Sequence, residues 1–334
     1  MADKLLEVKN LSTSFFTSEG EVKAVDNVSY YVDKGEVVAI VGESGCGKSV
    51  SQLSSTQLVQ TPPGKIMGGE VWFEGQNLLS YGRTSKEIQA VRGAGISEIF
   101  QEPMTSLNPV ITVGKQLSDV IMTHSKVSRK EAFEKAIQAL KDVGIPSPES
   151  RIKNYPFELS GGMRQRVMIA TAIACNSKLI IADEPTTALD VTTQAQVMDL
   201  LKTLVKTRNL SLIVVTHNLG LVTRYADRVY VMYAGKIIES GTTEQLLTNP
   251  KHPYTIGLMS SVPKLNDSKD APLIPIDGAP PLLSNLPNQC TFLPRCRFAC
   301  EECGKLPYPE LKESNQSNHY VACHRSIGGD DNGK

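Results

Sequence analysis

The stretch VVAIVGESGCGKS, Val37 to Ser49, constrains the fold more than any other part of the chain. Its opening apolar run, VVAIV, suits a strand buried on both faces, as in a parallel sheet. The run that follows matches G-x4-G-K-[ST], which requires a strand before it and a helix after it. Gly42, Gly45 and Gly47 let the backbone curl until its N–H groups converge on phosphate oxygens at a helix N-terminus. Because the backbone does the binding, Ser44, Cys46 and Val50 belong to the same cradle. Lys48 reaches the β- and γ-phosphates, and the Ser49 hydroxyl ligates Mg2+. Such a loop binds a nucleoside triphosphate.

The strands around it follow from pattern. LLEVKNL and VDNVSYYV read as strands before VVAIVG, and KLIIADE and LSLIVVTH read as a later apolar pair. Between the groups, RKEAFEKAIQALKDVG has helical spacing and ends at a glycine, and VTTQAQVMDLLKTLVKTRN is a second amphipathic helix. VYVMYAGKIIESG reads as a hairpin. The order predicts an α/β core with an N-terminal β subdomain and a helical insertion over about 104–175. KLIIADEP ends in Asp183 and Glu184, two carboxylates at a strand's carboxyl end, where an α/β fold places its ligand site. Asp183 suits a magnesium ligand and Glu184 a base for an attacking water.

Composition excludes several classes. The 334 residues include 35 basic and 35 acidic side chains, so a broad electrostatic grip on nucleic acid is not expected. MADKLLEVKN carries charges where a signal peptide needs its apolar core, and no apolar run reaches the length of a membrane span. A cytosolic setting is expected, where clustered cysteines point to a metal or to redox chemistry rather than to disulfides. Five of the seven cysteines fall between Cys290 and Cys323. Prolines at 263, 272, 275, 280, 281 and 287 precede them. The expected organisation is a nucleotide-binding domain over 1–260, a proline-rich linker over 261–288 and a cysteine-rich, metal-binding domain over 289–334. The cysteine end also reads as a sensor or interaction module, secondary to the nucleotide-binding domain.

LSGGMRQR, Leu159 to Arg166, decides the family resemblance. With Gln101 in IFQEP, ALD at Ala188 to Asp190 and His217 in VVTHN, the chain resembles the ABC-transporter ATPases over essentially its whole length. The resemblance implies a P-loop ATPase core in which two domains sandwich two ATP molecules head to tail. Each phosphate loop then faces the other domain's Ser160, Gly161 and Gly162, a second helix N-terminus suited to anions. Gln101 and His217 are implied as catalytic beside Glu184, with Gln101 also on Mg2+. An aromatic near the N-terminus should stack on adenine, Phe15 before Phe16.

GESGCGKS, IFQEPMTSLNP, HPYTIGLMSSVP and the terminal cysteines look like the ATPase subunits of dipeptide and oligopeptide importers, whose relatives also carry nickel. Chain length and GKIMGGEVWFEG look like the D-type subunit. That resemblance implies an F-type ATPase partner or a homodimer, two permease subunits, and indirect service to a peptide-binding protein. It also implies a peripheral place at the cytoplasmic face of the membrane. It further implies a C-x5-C-x6-C pattern with one distant cysteine, which falls on Cys290, Cys296, Cys303 and Cys323, leaves Cys300 spare, and holds a 4Fe–4S cluster with zinc as the alternative. Four departures stand out: Cys46 in the phosphate loop, Asn218 after His217, Ser97 and Glu98 before IFQ, and the polar SQLSSTQL after the loop. The competing function is a soluble ABC ATPase acting on nucleic acid or ribosomes, which would carry coiled-coil insertions or tandem cassettes that this sequence lacks.

Overall fold

The computed structural model of the chain describes residues 3–187, 189–260 and 276–325. Ala188 of ALD, residues 261–275 of the proline-rich segment and residues 326–334 lie outside the described residues. The chain opens with β1 (Lys4–Thr17), β2 (Gly20–Asp33), β3 (Val37–Val41), α1 (Lys48–Ser55), β4 (Gly64–Phe73) and β5 (Gln76–Asn77). Next come α2 (Lys86–Val91), β6 (Ile96–Ile99), α3 (Pro103–Ser106), α4 (Val113–His124), α5 (Arg129–Asp142), α6 (Pro148–Arg151) and α7 (Gly161–Ile173). The later elements begin with β7 (Leu179–Asp183), α8 (Val191–Arg208), β8 (Ser211–Thr216), α9 (Leu219–Tyr225) and β9 (Arg228–Tyr233). They end with β10 (Lys236–Thr242), α10 (Thr243–Thr248), α11 (Pro253–Ser260), β11 (Lys312–Glu313) and β12 (Tyr320–Val321). These elements form two compact units interleaved along the sequence.

The first unit takes residues 3–5, 32–37 and 80–215. Its strands β6, β7 and β8 run parallel, with Ile96 opposite Leu179 and Asp183 opposite Val215. Every residue of β7 and β8 is buried, as their continuous apolar runs require. The helix predicted from RKEAFEKAIQALKDVG is α5. It starts at a capping box of Ser128 and Glu131, buries Ala132, Ala136, Ala139 and Leu140, and gives way to Gly144 at φ +71°. The polar pair in β6 is accommodated in part. Ser97 Oγ donates to the Gly93 carbonyl, whereas Glu98 carries a buried oxygen that lacks a partner. Burial, reinforced by the charge of Asp183, pushes the Glu98 carboxyl up to about 7.

The second unit takes residues 6–31, 38–79 and the described residues from 216 onward. An antiparallel sheet, in the order β2-β1-β4-β5, forms its N-terminal part. A mixed sheet segment, β11-β12-β10-β9-β3, forms the rest: β3 runs parallel to β9, and β10 returns antiparallel through Ala234 and Gly235, both at positive φ. The polar helix after the phosphate loop buries Ser51, Gln52, Ser54 and Ser55 and satisfies each of them. Thr13 of β1 pairs with Ser54, and Tyr30 of β2 donates to Gln52. The remaining hydroxyls bond carbonyls of the helix itself. The cysteine-rich end joins the same core: Phe292 packs with Tyr233, Tyr254, Ala39 and Val41, and β12 pairs with β10.

Candidate nucleotide-binding site

The phosphate loop is a tight cage built against β9 and β2. A Cβ on Gly42 would stand 2.2 Å from the Met232 carbonyl oxygen, and one on Gly47 would stand 2.1 Å from that of Ala24. Only glycine fits at either position. Lys48 is buried, with its ammonium donating to the carbonyls of Gly42 at 2.8 Å and Glu43 at 2.9 Å. Cys46 lies buried under the loop, where burial pushes its thiol up, so it acts as a small neutral filler. Ser44 and Gly45 are exposed at the rim, and Ser49 and Val50 are half-buried at the start of α1.

Glu43 ties this loop to distant parts of the second unit. Its backbone N–H donates to the Tyr254 hydroxyl at 2.8 Å, and its carboxylate takes both terminal nitrogens of Arg295, at 2.7 and 2.9 Å. Phe15 lies opposite Gly64 in the β1–β4 register and packs over it, while Phe16 is exposed.

The acidic pair belongs to the first unit. Asp183 closes β7 and is 8% exposed. Glu184 follows at φ +45°, its N–H donating to the Val215 carbonyl at 2.8 Å. Its Oε2 accepts from Gln101 Nε2 at 3.0 Å and Thr187 Oγ1 at 2.9 Å. Gln101 and Glu184, 83 residues apart in sequence, thus converge. His217, in the second unit, is exposed just beyond β8.

LSGG opens α7. Ser160 caps the helix by accepting from the Met163 N–H, leaving the N–H groups of Gly161 and Gly162 at the free end. Gly162 lies against Thr193, whose backbone and hydroxyl both bond the Asp190 carboxylate at the start of α8. Asp190, expected from ALD, is therefore the cap of α8.

Comparison with known proteins agrees with this geometry. The ABC transporter family matches residues 25–187, and the oligopeptide/dipeptide transporter C-terminal region matches residues 238–303. The oligopeptide transport ATP-binding protein OppD of Bacillus subtilis is 50% identical over 318 residues, 95% of this chain and 88% of that one. The chain belongs to the ABC transporter ATPases. The dipeptide transport ATP-binding protein DppD of the same organism is 47% identical over 321 residues, 96% of this chain and 94% of that one. Among solved structures, a dimeric ATP-binding cassette in a post-hydrolysis state with ADP and Pi superposes with a TM-score of 0.63. It is 27% identical, and the match covers 71% of this chain and 98% of that one.

Within this ABC ATPase the cysteines are free thiols rather than disulfides. Cys290, Cys296, Cys303 and Cys323 line one small cavity together with His252 and Phe292. Burial first, and then the other three thiols, push Cys323 up to about 11. Cys300 stays outside the cavity, with its sulfur 3.4 Å from that of Cys303. Among the described residues, no three His, Cys, Asp or Glu side chains converge closely enough to hold an ion, so the expected metal-binding character of the C-terminal domain is not shown.

Three residues that matter to the site escaped sequence reading: Glu43, Tyr254 and Arg295. Tyr254 sits in the quoted HPY segment, yet nothing local says its hydroxyl reaches the phosphate loop. Arg295 is hidden among the cysteines. The same region is held by buried Glu239, which accepts from the N–H groups of Lys251 and His252 and pairs with His319.

Proposed function

We propose that this chain is the ATP-hydrolysing subunit of a peptide importer, bound peripherally at the cytoplasmic face of the membrane. The observation that carries the reading is the union, in one chain, of an ABC phosphate loop and Gln101–Glu184 pair with the oligopeptide/dipeptide C-terminal region. No described helix is long and apolar enough to cross a membrane, which fits reliance on separate permease subunits.

Lys48 and the N–H groups of Gly42, Ser44, Gly45, Cys46, Gly47, Ser49 and Val50 bind the phosphates, whereas the Glu43 N–H is taken by Tyr254, and Phe15, or the exposed Phe16 beside it, stacks on adenine. Ser49, Gln101 and Asp183 offer the hard oxygen donors that suit Mg2+. Asp183 meets that requirement as a buried carboxylate at the end of β7. When bound, the ion neutralises charge on the β- and γ-phosphates. Glu184, its carboxylate fixed by Gln101 and Thr187, orients and deprotonates the attacking water, and His217 approaches the γ-phosphate. Ser160, Gly161 and Gly162 serve the nucleotide of the opposing subunit, a second copy or an F-type relative. Two permeases receive the helical insertion, and a peptide-binding protein across the membrane delivers cargo.

We also propose that Cys290, Cys296, Cys303 and Cys323 hold a 4Fe–4S cluster, with zinc as the alternative. Support comes from four unoxidised thiols on one cavity, a donor set that suits such a cluster. When bound, the group would contribute folding free energy to the tail.

The test of function is reconstitution with permease subunits in vesicles. ATP hydrolysis stimulated by peptide and its binding protein is the expected result. Stimulation by nucleic acid or ribosomes, and none by peptide, would replace this reading with the soluble alternative.

A further inference from the structure

The phosphate loop must receive a polyanion, yet its second residue is an acid, Glu43. Left bare, that carboxylate would repel the phosphates that Lys48 attracts. The structure deals with it from the far end of the chain. Arg295 forms a two-pronged pair with Glu43, Nη1 to Oε2 at 2.7 Å and Nη2 to Oε1 at 2.9 Å. Its Nε donates to the Asp277 carbonyl at 2.9 Å, and Nη1 also reaches the Tyr233 hydroxyl at 3.3 Å. The guanidinium lies over the rings of Tyr233 and Phe292, and the side chain is only 6% exposed. A planar fork held on this many sides fixes the carboxylate's direction as well as its charge.

We propose that Arg295 is a positioning residue for nucleotide binding: it masks and restrains the Glu43 carboxylate so that the phosphate loop presents only its cationic and N–H groups to ATP. The role is electrostatic and acts through Glu43. Tyr254 anchors the same residue's backbone N–H, so Glu43 is fixed at both main chain and side chain by residues outside the loop. Arg295 stands directly before Cys296, in a loop that starts at Cys290, so two cavity-lining cysteines flank the residue that tends the phosphate site.

This inference rests on the phosphate loop being the nucleotide site, and a titration of the wild-type full chain with a non-hydrolysable ATP analogue examines that premise by itself. Wild type that does not bind would sink the premise. If wild type binds, Arg295→Met should weaken binding by about tenfold, as expected of an unpaired charge a few ångströms from a polyphosphate. The loss should shrink from the ATP analogue to ADP to AMP as phosphate charge falls. Glu43→Gln alone should stay within about twofold of wild type, since it removes the charge that needs masking. The decisive variant is the double one: Glu43→Gln added to Arg295→Met should recover affinity to within about threefold of wild type. If Arg295 serves packing alone, the double variant binds as weakly as Arg295→Met and the loss ignores phosphate number; either result overturns the proposal. So does an unchanged affinity in Arg295→Met. If Arg295→Met does not fold, Arg295→Gln keeps a neutral donor in place and carries the same expectations.

Discussion

Glu184 occupies a left-handed backbone position, at φ +45°, that costs a residue with a side chain about 1–3 kcal/mol. What holds it there is its own N–H bond to Val215 and the two bonds that its carboxylate accepts from Gln101 and Thr187. That geometry aims the carboxylate. In the assembled transporter Glu184→Gln should retain ATP and lose at least about a hundredfold in turnover, because an amide cannot take the proton. Phosphate release at the wild-type rate would remove Glu184 from this role. His252 makes a different kind of prediction. Complete burial holds its imidazole down to about 4, with Glu239 opposing that only in part, and its Nδ1 accepts the Tyr254 N–H. A folded state that refuses a proton the unfolded chain accepts near 6.5 is unaffected above that pH. It loses stability as pH falls from 6.5 toward 4, by roughly 2–3 kcal/mol at pH 4.5. His252→Asn keeps an acceptor for Tyr254 and cannot titrate. Denaturant unfolding at pH 7 and 4.5 should therefore show a smaller acid loss in the variant. Equal losses would mean that His252 is not the group responsible.

At the scale of elements, the cysteine-rich end is secured by a few long-range devices: β12 on β10, His319 on Glu239, and Phe292 among the tyrosines. None of them links Cys303 to Cys323, which a cluster would do. Anaerobically purified protein should be brown, with about four irons per chain and visible absorption that bleaches on reduction. Cys303→Ser should lose the colour and Cys300→Ser should keep it, since Cys300 is not among the residues lining the cavity that the other four share. Colourless protein with one zinc would replace the cluster. These elements also show what a sequence discloses. β3, the phosphate loop, β7, β8 and α5 were legible because each is encoded in its own few residues: a continuous apolar run, a glycine pattern, a helical spacing that ends at a glycine. The helix after the loop was expected, but the burial of its polar residues was not legible, because Thr13 and Tyr30, which help satisfy them, come from strands earlier in the chain. Glu43, Tyr254 and Arg295 were hidden for the same reason, at separations of 211 and 252 residues. Periodicity reports on neighbours in sequence and says nothing of such pairs.

At the scale of the whole molecule, one chain supplies an incomplete catalyst, since α7 presents its free N–H groups to another subunit's nucleotide in the proposed arrangement. The purified chain should hydrolyse ATP slowly, with a specific activity that rises with protein concentration and with added permease. A demonstrated monomer with fast, concentration-independent hydrolysis would contradict that. The contact between Glu43 and Arg295 also has a bearing on how the protein is born. Ribosomes add roughly 5–20 residues per second, so the phosphate loop emerges about 13–50 seconds before the arginine that tends it. Throughout that interval the nascent second unit lacks β12, Phe292 and the partner of Glu43, however well β3 and α1 have formed. A premature stop before residue 295 would thus yield a fragment that keeps the whole phosphate-loop motif and lacks the arginine paired with its acid.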